Sequence, residues 1–343
     1  MRDYDRVRAA LSFICPDDRD IWVRMGMAVK AELGADGFGL WDDWSRTSDA
    51  YQPAAAKAVW KSFKAGGAVS AGSLFHAARL AGWQDDSEHA QPSAEEVEAR
   101  RLRREQLATA ERLERERRAR MAAMRAAALW SSASKAGVSP YLTRKQVEAE
   151  SLKFLPEGAV VVPMVRYDLP RESALVGAQV IAADGGKRFT PGTAKQGSAC
   201  RLGLVEVGAV VLLCEGMATG LTIRMALNNR LAVFVAFDAG NLRPVAEMLR
   251  GLYPTSPILV CADDDWQTSG NPGVTKATEI SKRVPYAHLI YPVFPGERGL
   301  KDTDFNDLHV GHGLATVARQ FQGPVAYLSR LNVRPVEGLA HAA

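Results

Sequence analysis

VVLLCEG, residues 210–216, and ILVCADDD, residues 258–265, are apolar runs that each end abruptly in carboxylates. Both have the length and composition of a parallel strand buried on its two faces. In an open α/β sheet, ligands bind beyond the carboxyl ends of the strands, so Glu215, Asp263, Asp264 and Asp265 are expected to converge on one crevice. Hard oxygen ligands gathered there suit Mg²⁺ or Mn²⁺, and with them phosphate chemistry. Acidic helix N-caps after ordinary strands are the plainer reading. That reading serves Glu215 alone, but it accounts poorly for Glu-Gly and Asp-x-Asp at this separation.

Working outward, residues 208 to about 323 alternate regularly. Strand 209–214 precedes a helix over 217–227, strand 231–237 a helix over 242–252, and strand 257–262 a helix over 274–284, with a further strand at 287–293. This order predicts a parallel sheet with right-handed crossovers and helices on both faces. FDAGN (Phe237 to Asn241) follows the second strand, and NPGVTK (Asn271 to Lys276) opens the third helix. There Pro272 and Gly273 supply the turn, the helix N-terminus offers N–H groups to an anion, and Lys276 adds a phosphate contact. KDTDFNDL places Asp302, Asp304 and Asp307 in a loop after the fourth strand. Alone it reads as an acidic turn and helix cap; after the other acidic strand ends it reads as the rim of the same site.

Upstream, Tyr141 to about Val205 has β character. AVVVPMVRY and ALVGAQVIAADGGKRFTPGT are short strands, with a hairpin turn at Gly185-Gly186. The strand leaving that turn carries Lys187 and Arg188, and Lys195 and Arg201 follow. A positive β surface beside a carboxylate site is what a template groove requires. The alternative is an edge strand protected by its basic residues. Before it, residues 94–130 form one long helix rich in Ala, Glu, Arg and Leu, without Gly or Pro. Its interleaved glutamates and arginines read as a solvated spacer rather than a phosphate track. QDDSEHAQPS, residues 84–93, is a polar linker. Residues 1 to about 85 are a small helical domain holding Trp22, Trp41, Trp44, Trp60 and Trp83, expected to pack as an aromatic core rather than to stack on bases. Within it the periodicity predicts a helix from Tyr4 to Ile14, a second capped by Asp17 or Asp18 and stopped at Gly34, a third from Ala54 and a fourth after Ser70. His76 reads as structural.

With 343 residues and 47% hydrophobic content, the chain can bury a sizeable core in two or three domains. A net charge of +4 permits nucleic-acid binding without arguing for it. The four cysteines have no CxxC or Cys/His spacing, which speaks against a zinc ribbon and a disulfide framework. No apolar run reaches transmembrane length and MRDYDRVRAA is no signal peptide, so a soluble cytoplasmic protein is expected, with no membrane partner.

EGMATG, FDAGN, CADDD, NPGVTKA and DFNDL resemble the Toprim domain, in the form found in TraC-type primases of conjugative plasmids and related phage proteins. SPYLTRKQV and GGKRFTPG look like the basic β-rich half of that group's catalytic core, which is also similar to the DNA-binding lobe of bacterial DnaG-type primases. Residues 1–85 resemble, more weakly, the helical primase C-terminal-type (PriCT) module. The resemblance implies an α/β fold: a Toprim parallel sheet at 207–325 followed by a tail at 326–343, and preceded by a basic β-rich lobe at 136–206, a charged linker helix at 89–135 and an all-α module at 1–88. It puts the catalytic glutamate on Glu215, the metal-binding pair on Asp263 and Asp265, the later acidic loop on Asp304 and Asp307, and template contacts on Lys187 and Arg188.

The implied activity is that of a DNA primase: metal-dependent joining of nucleoside triphosphates on a single-stranded DNA template, in plasmid or phage replication or transfer. Glu215 would serve as general base or as ligand to a second ion; the sequence leaves both roles open. A replicative helicase or a single-strand-binding protein are the implied partners. DnaG-type enzymes select start sites with a zinc domain that this sequence lacks, so that task is expected to fall to the helical module or to partners. Two rivals stand beside this reading: a Toprim metal-dependent nuclease, and a non-catalytic single-strand-binding replication factor.

Overall fold

The computed structural model describes residues 2–63, 69–84, 94–331 and 333. The chain divides into two compact units, residues 1–110 and 111–343. Most of the predicted linker at 84–93, and most of the tail beyond 331, lie outside the described residues.

The first unit holds α1 (Arg2–Leu11), α2 (Arg19–Leu33), α3 (Phe38–Ser45), α4 (Pro53–Ser62), α5 (Ala71–Leu80) and the start of α6 (Ala94–Ser132). Asp18 caps α2 by accepting from the N–H groups of Asp20 and Ile21, and Gly34 ends it with φ +66°. The aromatic core is as expected: Trp41, Trp44, Trp60 and Trp83 are buried together with Leu11, Met25 and Leu74. Trp41 lies 4.7 Å from Trp22 and 5.5 Å from Trp60 between ring centroids. Helix α3 has no counterpart in the sequence reading, because eight residues following the Gly-Ala-Asp-Gly turn are too short to show a period. His76, expected to be structural, is exposed.

In the second unit α7 (Pro140–Lys145) leads into a sheet of β1 (Lys153–Phe154), β2 (Val160–Val165), β3 (Leu175–Ile181) and β4 (Lys187–Phe189), antiparallel throughout in that order. Gly185, at φ +96°, makes the β3–β4 turn. One face of this sheet (Val160, Val162, Met164, Ile181) joins the core of the α/β part. The other face (Val161, Ala178) packs on Ala126 and Ala133, with Leu129 and Trp130 beside them. The end of α6 is therefore not a solvated spacer. Its Glu114–Arg117 and Glu114–Arg118 pairs are solvent-facing as expected, but from Ala122 onward it is a lid on the β lobe.

The α/β part contains β5 (Cys200–Leu202), β6 (Val211–Cys214), α8 (Met217–Ala226), β7 (Val233–Val235), α9 (Ala239–Leu252), β8 (Ile258–Cys261), α10 (Pro272–Arg283), β9 (Ala287–Ile290), α11 (Phe305–His312) and α12 (Leu314–Leu328). The strand order is β5-β7-β6-β8-β9. The four predicted strands are mutually parallel, and β5 adds an antiparallel edge against β7. Alternate residues of β6 serve opposite cores: Leu212 and Cys214 face α8, α11 and α12, whereas Val211 and Leu213 face α9 and α10. That double burial is why these strands read as continuous apolar runs. Among the described residues no helix is long and apolar enough to cross a membrane.

Candidate active site

The chain leaves β6 for β7 on one side and returns to β8 on the other, so the topological switch lies beside β6, where open α/β sheets bind ligands. Cys214 pairs with Cys261, which brings Glu215 and Asp263 off neighbouring strands at nearly one level. Two more acids arrive as helix caps: Asp238 at the start of α9 and Asp304 at the start of α11.

These acids feel one another. Burial, then the charge of Asp265, lifts Glu215 to about 7, while Lys276 pulls it down and Asp238 pushes it up. Asp263 is held well above the usual carboxylate range by burial and by Asp304, Glu215, Asp265 and Asp307. Asp304 is raised too, by burial and Asp307, against the pull of Lys145 and a hydrogen bond from Thr219. Glu215 Oε1 and Asp263 Oδ1 are buried without a hydrogen-bond partner. Unpaired buried carboxylate oxygens are costly, and their accumulation at one place marks a functional site. Among the described residues, no three His, Cys, Asp or Glu side chains close around a single point as a metal cage would. The acids share an electrostatic environment without a preformed coordination sphere.

The remaining sequence candidates fall into three groups. Asp265 Oδ2 accepts from the Gly273 N–H at 3.2 Å, so the N-terminus of α10, expected to be open to phosphate, already faces a carboxylate. Gly273 is required there because a Cβ would lie 2.2 Å from the Asp263 carbonyl oxygen. Lys276 is exposed one turn further on, close enough to act on Glu215. Asp304 and Asp307 form a reciprocal capping box, the plainer of the two sequence readings. Asp304 Oδ1 accepts the Asp307 N–H at 2.8 Å, and Asp307 Oδ2 accepts the N–H groups of Thr303 and Asp304. Capping and membership of the acid cluster coexist, since Thr219 donates to Asp304 Oδ2 at 2.9 Å while Asp304 still acts on Asp263.

The basic candidates do not all line one surface. Lys195 pairs with Asp238 at the rim. Arg201, on edge strand β5, lies against the Tyr167 ring at 5.4 Å. Lys187 pairs across the ladder with Ile181, and Arg188 with Val180. Cross-strand partners share a face, so Lys187 lies on the face of the α/β core and Arg188 on the face that α6 covers. One groove cannot use both side chains in the same way.

The sequence reading missed the residues that hold these loops. Arg298 donates to Asp264 Oδ2 at 2.5 Å, to the Asp264 carbonyl at 2.8 Å and to the Asp302 carbonyl at 2.7 Å. It thus turns the middle aspartate of the triplet into a structural anchor between the β8 and β9 loops. Asn241 is fully buried; it donates to the Ser198 and Ala236 carbonyls and accepts from the Gly197 N–H, tying the β lobe's exit loop to the β7–α9 turn. Asn306 donates to the Lys145 carbonyl and to Thr222, and Lys145 reaches Asp307 at 3.3 Å. The FDAGN string flagged the position of Asn241, but nothing local marks Arg298, which sits in an aperiodic Pro/Gly-rich loop.

Comparison with known proteins bears on this geometry. A primase C terminal 2 (PriCT-2) model matches residues 7–78, and a Toprim domain model matches residues 210–315. A DNA primase TraC of Escherichia coli is 35% identical over 167 residues, covering 46% of this chain and 15% of that protein. A second Escherichia coli DNA primase TraC is 29% identical over 163 residues, covering 46% and 11%. The match therefore spans only 15% and 11% of the length of these curated relatives. Among solved structures, the primase fragment of the bacteriophage T7 primase-helicase protein aligns with a TM-score of 0.38 and 15% identity, over 52% of this chain and 69% of that one. A chain from the T7 lagging-strand DNA polymerase bound to primase domains aligns with a TM-score of 0.37 and 16% identity, over 60% and 93%. A PriCT-2 model thus matches residues 7–78, a Toprim domain model matches residues 210–315, and the chain is similar to a DNA primase TraC over 46% of its length.

Proposed function

We propose that this chain is the catalytic part of a DNA primase, joining nucleoside triphosphates into short primers on single-stranded DNA. The observation that carries the reading is the pair of unpartnered, buried carboxylate oxygens, Glu215 Oε1 and Asp263 Oδ1, at adjacent strand ends. The TraC relatives, named DNA primases, supply the choice of reaction.

The donor set is all oxygen and its net charge is uncompensated, which fits Mg²⁺ or Mn²⁺. Glu215, Asp263 and Asp265 would hold the ion. When bound, a divalent ion neutralises the triphosphate and stabilises charge on the attacking and leaving oxygens of in-line transfer. Around it the chain's own groups have defined tasks. Lys276 presents a cation beside Glu215, where a phosphate tail would meet it. In the metal-free chain burial and Asp265 lift Glu215 to about 7, and its partnerless Oε1 is the donor atom a bound ion would engage. Asp304, fixed by Thr219 and by the Asp307 N–H, shares the electrostatic environment of Asp263. The exposed edge strand β4, bearing Lys187, is the side from which a template would approach.

Incubation with single-stranded DNA, nucleoside triphosphates and Mg²⁺ or Mn²⁺, with products sized on a gel, tests the proposal. New short oligomers are expected. Shortened template would mean a nuclease, and binding without either product would mean a replication factor that recruits another enzyme.

A further inference from the structure

Strand β4 is exposed along its whole length, and its last residue is an aromatic one: Phe189 keeps 38% of its surface open. Single exposed apolar residues are ordinary. What distinguishes Phe189 is its company. It pairs across the ladder with Gln179 and lies on the same face as Lys187, two residues before it. Lys187 has no hydrogen-bond or ion-pair partner among the described residues. On the other side Lys195 Nζ stands 5.4 Å from the Phe189 ring centroid, held there by Asp238. Beneath, the ring meets Phe237 edge-on, with centroids 6.1 Å apart and planes at 87°.

Phe237 is itself unusual, with φ +73°, a conformation that a bulky L residue rarely adopts. Backbone held in that region is concentrated at functional sites, where the surrounding structure fixes it. Here Asn241 bonds the Ala236 carbonyl just before it and Asp238 caps α9 just after it. The strained turn thus carries a buried ring that props an exposed one, and Asp238 in the same turn acts electrostatically on Glu215. A propped aromatic ring with a cation on each side, beside an acid cluster, suits one chemistry: an unpaired nucleobase on the ring and its flanking phosphates on the lysines.

We propose that Phe189, supported by Phe237 and flanked by Lys187 and Lys195, is the stacking platform for one base of a single-stranded nucleic acid at the entrance to the Glu215–Asp263 site. This rests on the single-strand reading above and adds to it the residue that holds a base.

The test is direct binding by the full chain. A short single-stranded DNA carrying 2-aminopurine at successive positions is titrated with the wild-type protein and with the Phe189→Ala, Phe189→Tyr and Phe13→Ala variants. Phe13, an exposed ring of the first unit, is the control. Stacking quenches 2-aminopurine, so the wild type should quench one position most strongly. Phe189→Ala should lose that quench and bind roughly tenfold or more weakly. Its salt slope should stay unchanged, because no phosphate contact is removed. Phe189→Tyr should keep both affinity and quench, and unchanged thermal midpoints would exclude misfolding. If Phe189→Ala binds and quenches like the wild type, the platform is refuted and the single-strand reading survives. If the wild type itself does not bind the oligonucleotide, the single-strand reading fails and the platform with it.

Discussion

Replacing Glu215 by Gln should stabilise the metal-free protein at pH 8 and do so only about a quarter as much at pH 5. In the folded chain Glu215 titrates at about 7 instead of its ordinary 4.5, because it is buried next to Asp265. Its folded-state pKa is raised, so the folded protein binds the proton more tightly than the unfolded chain. Stability is then highest below the unfolded pKa and declines as pH rises toward the folded one. Fully ionised, the carboxylate costs at most about 3 kcal/mol of folding free energy. Glutamine keeps the shape and removes the charge. For a unit of this size, that gain corresponds to a rise in thermal midpoint of roughly 6–12 °C at pH 8. Thermal unfolding of both proteins in a chelator, at pH 5 and pH 8, reads the effect as the difference between them, so other titrating groups cancel. Adding Mg²⁺ at a hundred times its dissociation constant should then raise the wild type at pH 8 by about 2.7 kcal/mol, and the variant by much less. Equal midpoints at pH 8, or the same difference at both pH values, would refute the claim that uncompensated charge destabilises this site.

Asp263→Ala should abolish primer synthesis on the gel assay, by roughly 100-fold or more, while preserving the thermal midpoint. Arg298→Ala strands the Asp264 carboxylate and should cost about 2–3 kcal/mol in urea unfolding, with Arg298→Lys recovering only part because an ammonium cannot reproduce the fork. Asn241→Ala leaves one N–H and two carbonyls unpaired and should cost about 2–3 kcal/mol, with hydrogen exchange rising first at residues 195–199. Lys187→Ala should lower the salt slope of single-strand binding by about 0.7, whereas Arg188→Ala should leave it unchanged, a contrast that follows from their opposite faces.

What could be read in advance was whatever lay in short-range pattern. Strands β6, β7 and β8 announced themselves because burial on both faces makes them uniformly apolar, and the Gly-Gly turn marked β3 and β4. Their acidic ends followed from position alone, and so did the cap at Asp304, where Asp-x-x-Asp is a local signature. Contacts between segments far apart in the chain left no such trace. Strand β5 is only Cys200–Leu202, shorter than any period, and exists because β7 offers an edge. Arg298 meets Asp264 across 34 residues, and Asn306 meets Lys145 across 161. The opposite facing of Lys187 and Arg188 was implicit in the strand alternation, but which face met the α/β core depended on the register with β3. The long helix misled for a compositional reason: its charged half dominates the average, while the half that seals the lobe is built from alanines.

That seal bears on how the chain folds as it is synthesised. The four short strands of the β lobe have no interior of their own: one face is completed by α6, the other by the later α/β sheet. On the ribosome α6 emerges first and can cover Val161 and Ala178 as soon as β2 and β3 pair. Val160, Val162, Met164 and Ile181 must wait until β6, α8 and β7 have been made. Until then the nascent lobe is a half-wrapped sheet with one greasy side and a free β4 edge, the kind of species that aggregates or recruits chaperones. Lysine and arginine on β4 are suited to keeping other chains off that edge during the interval.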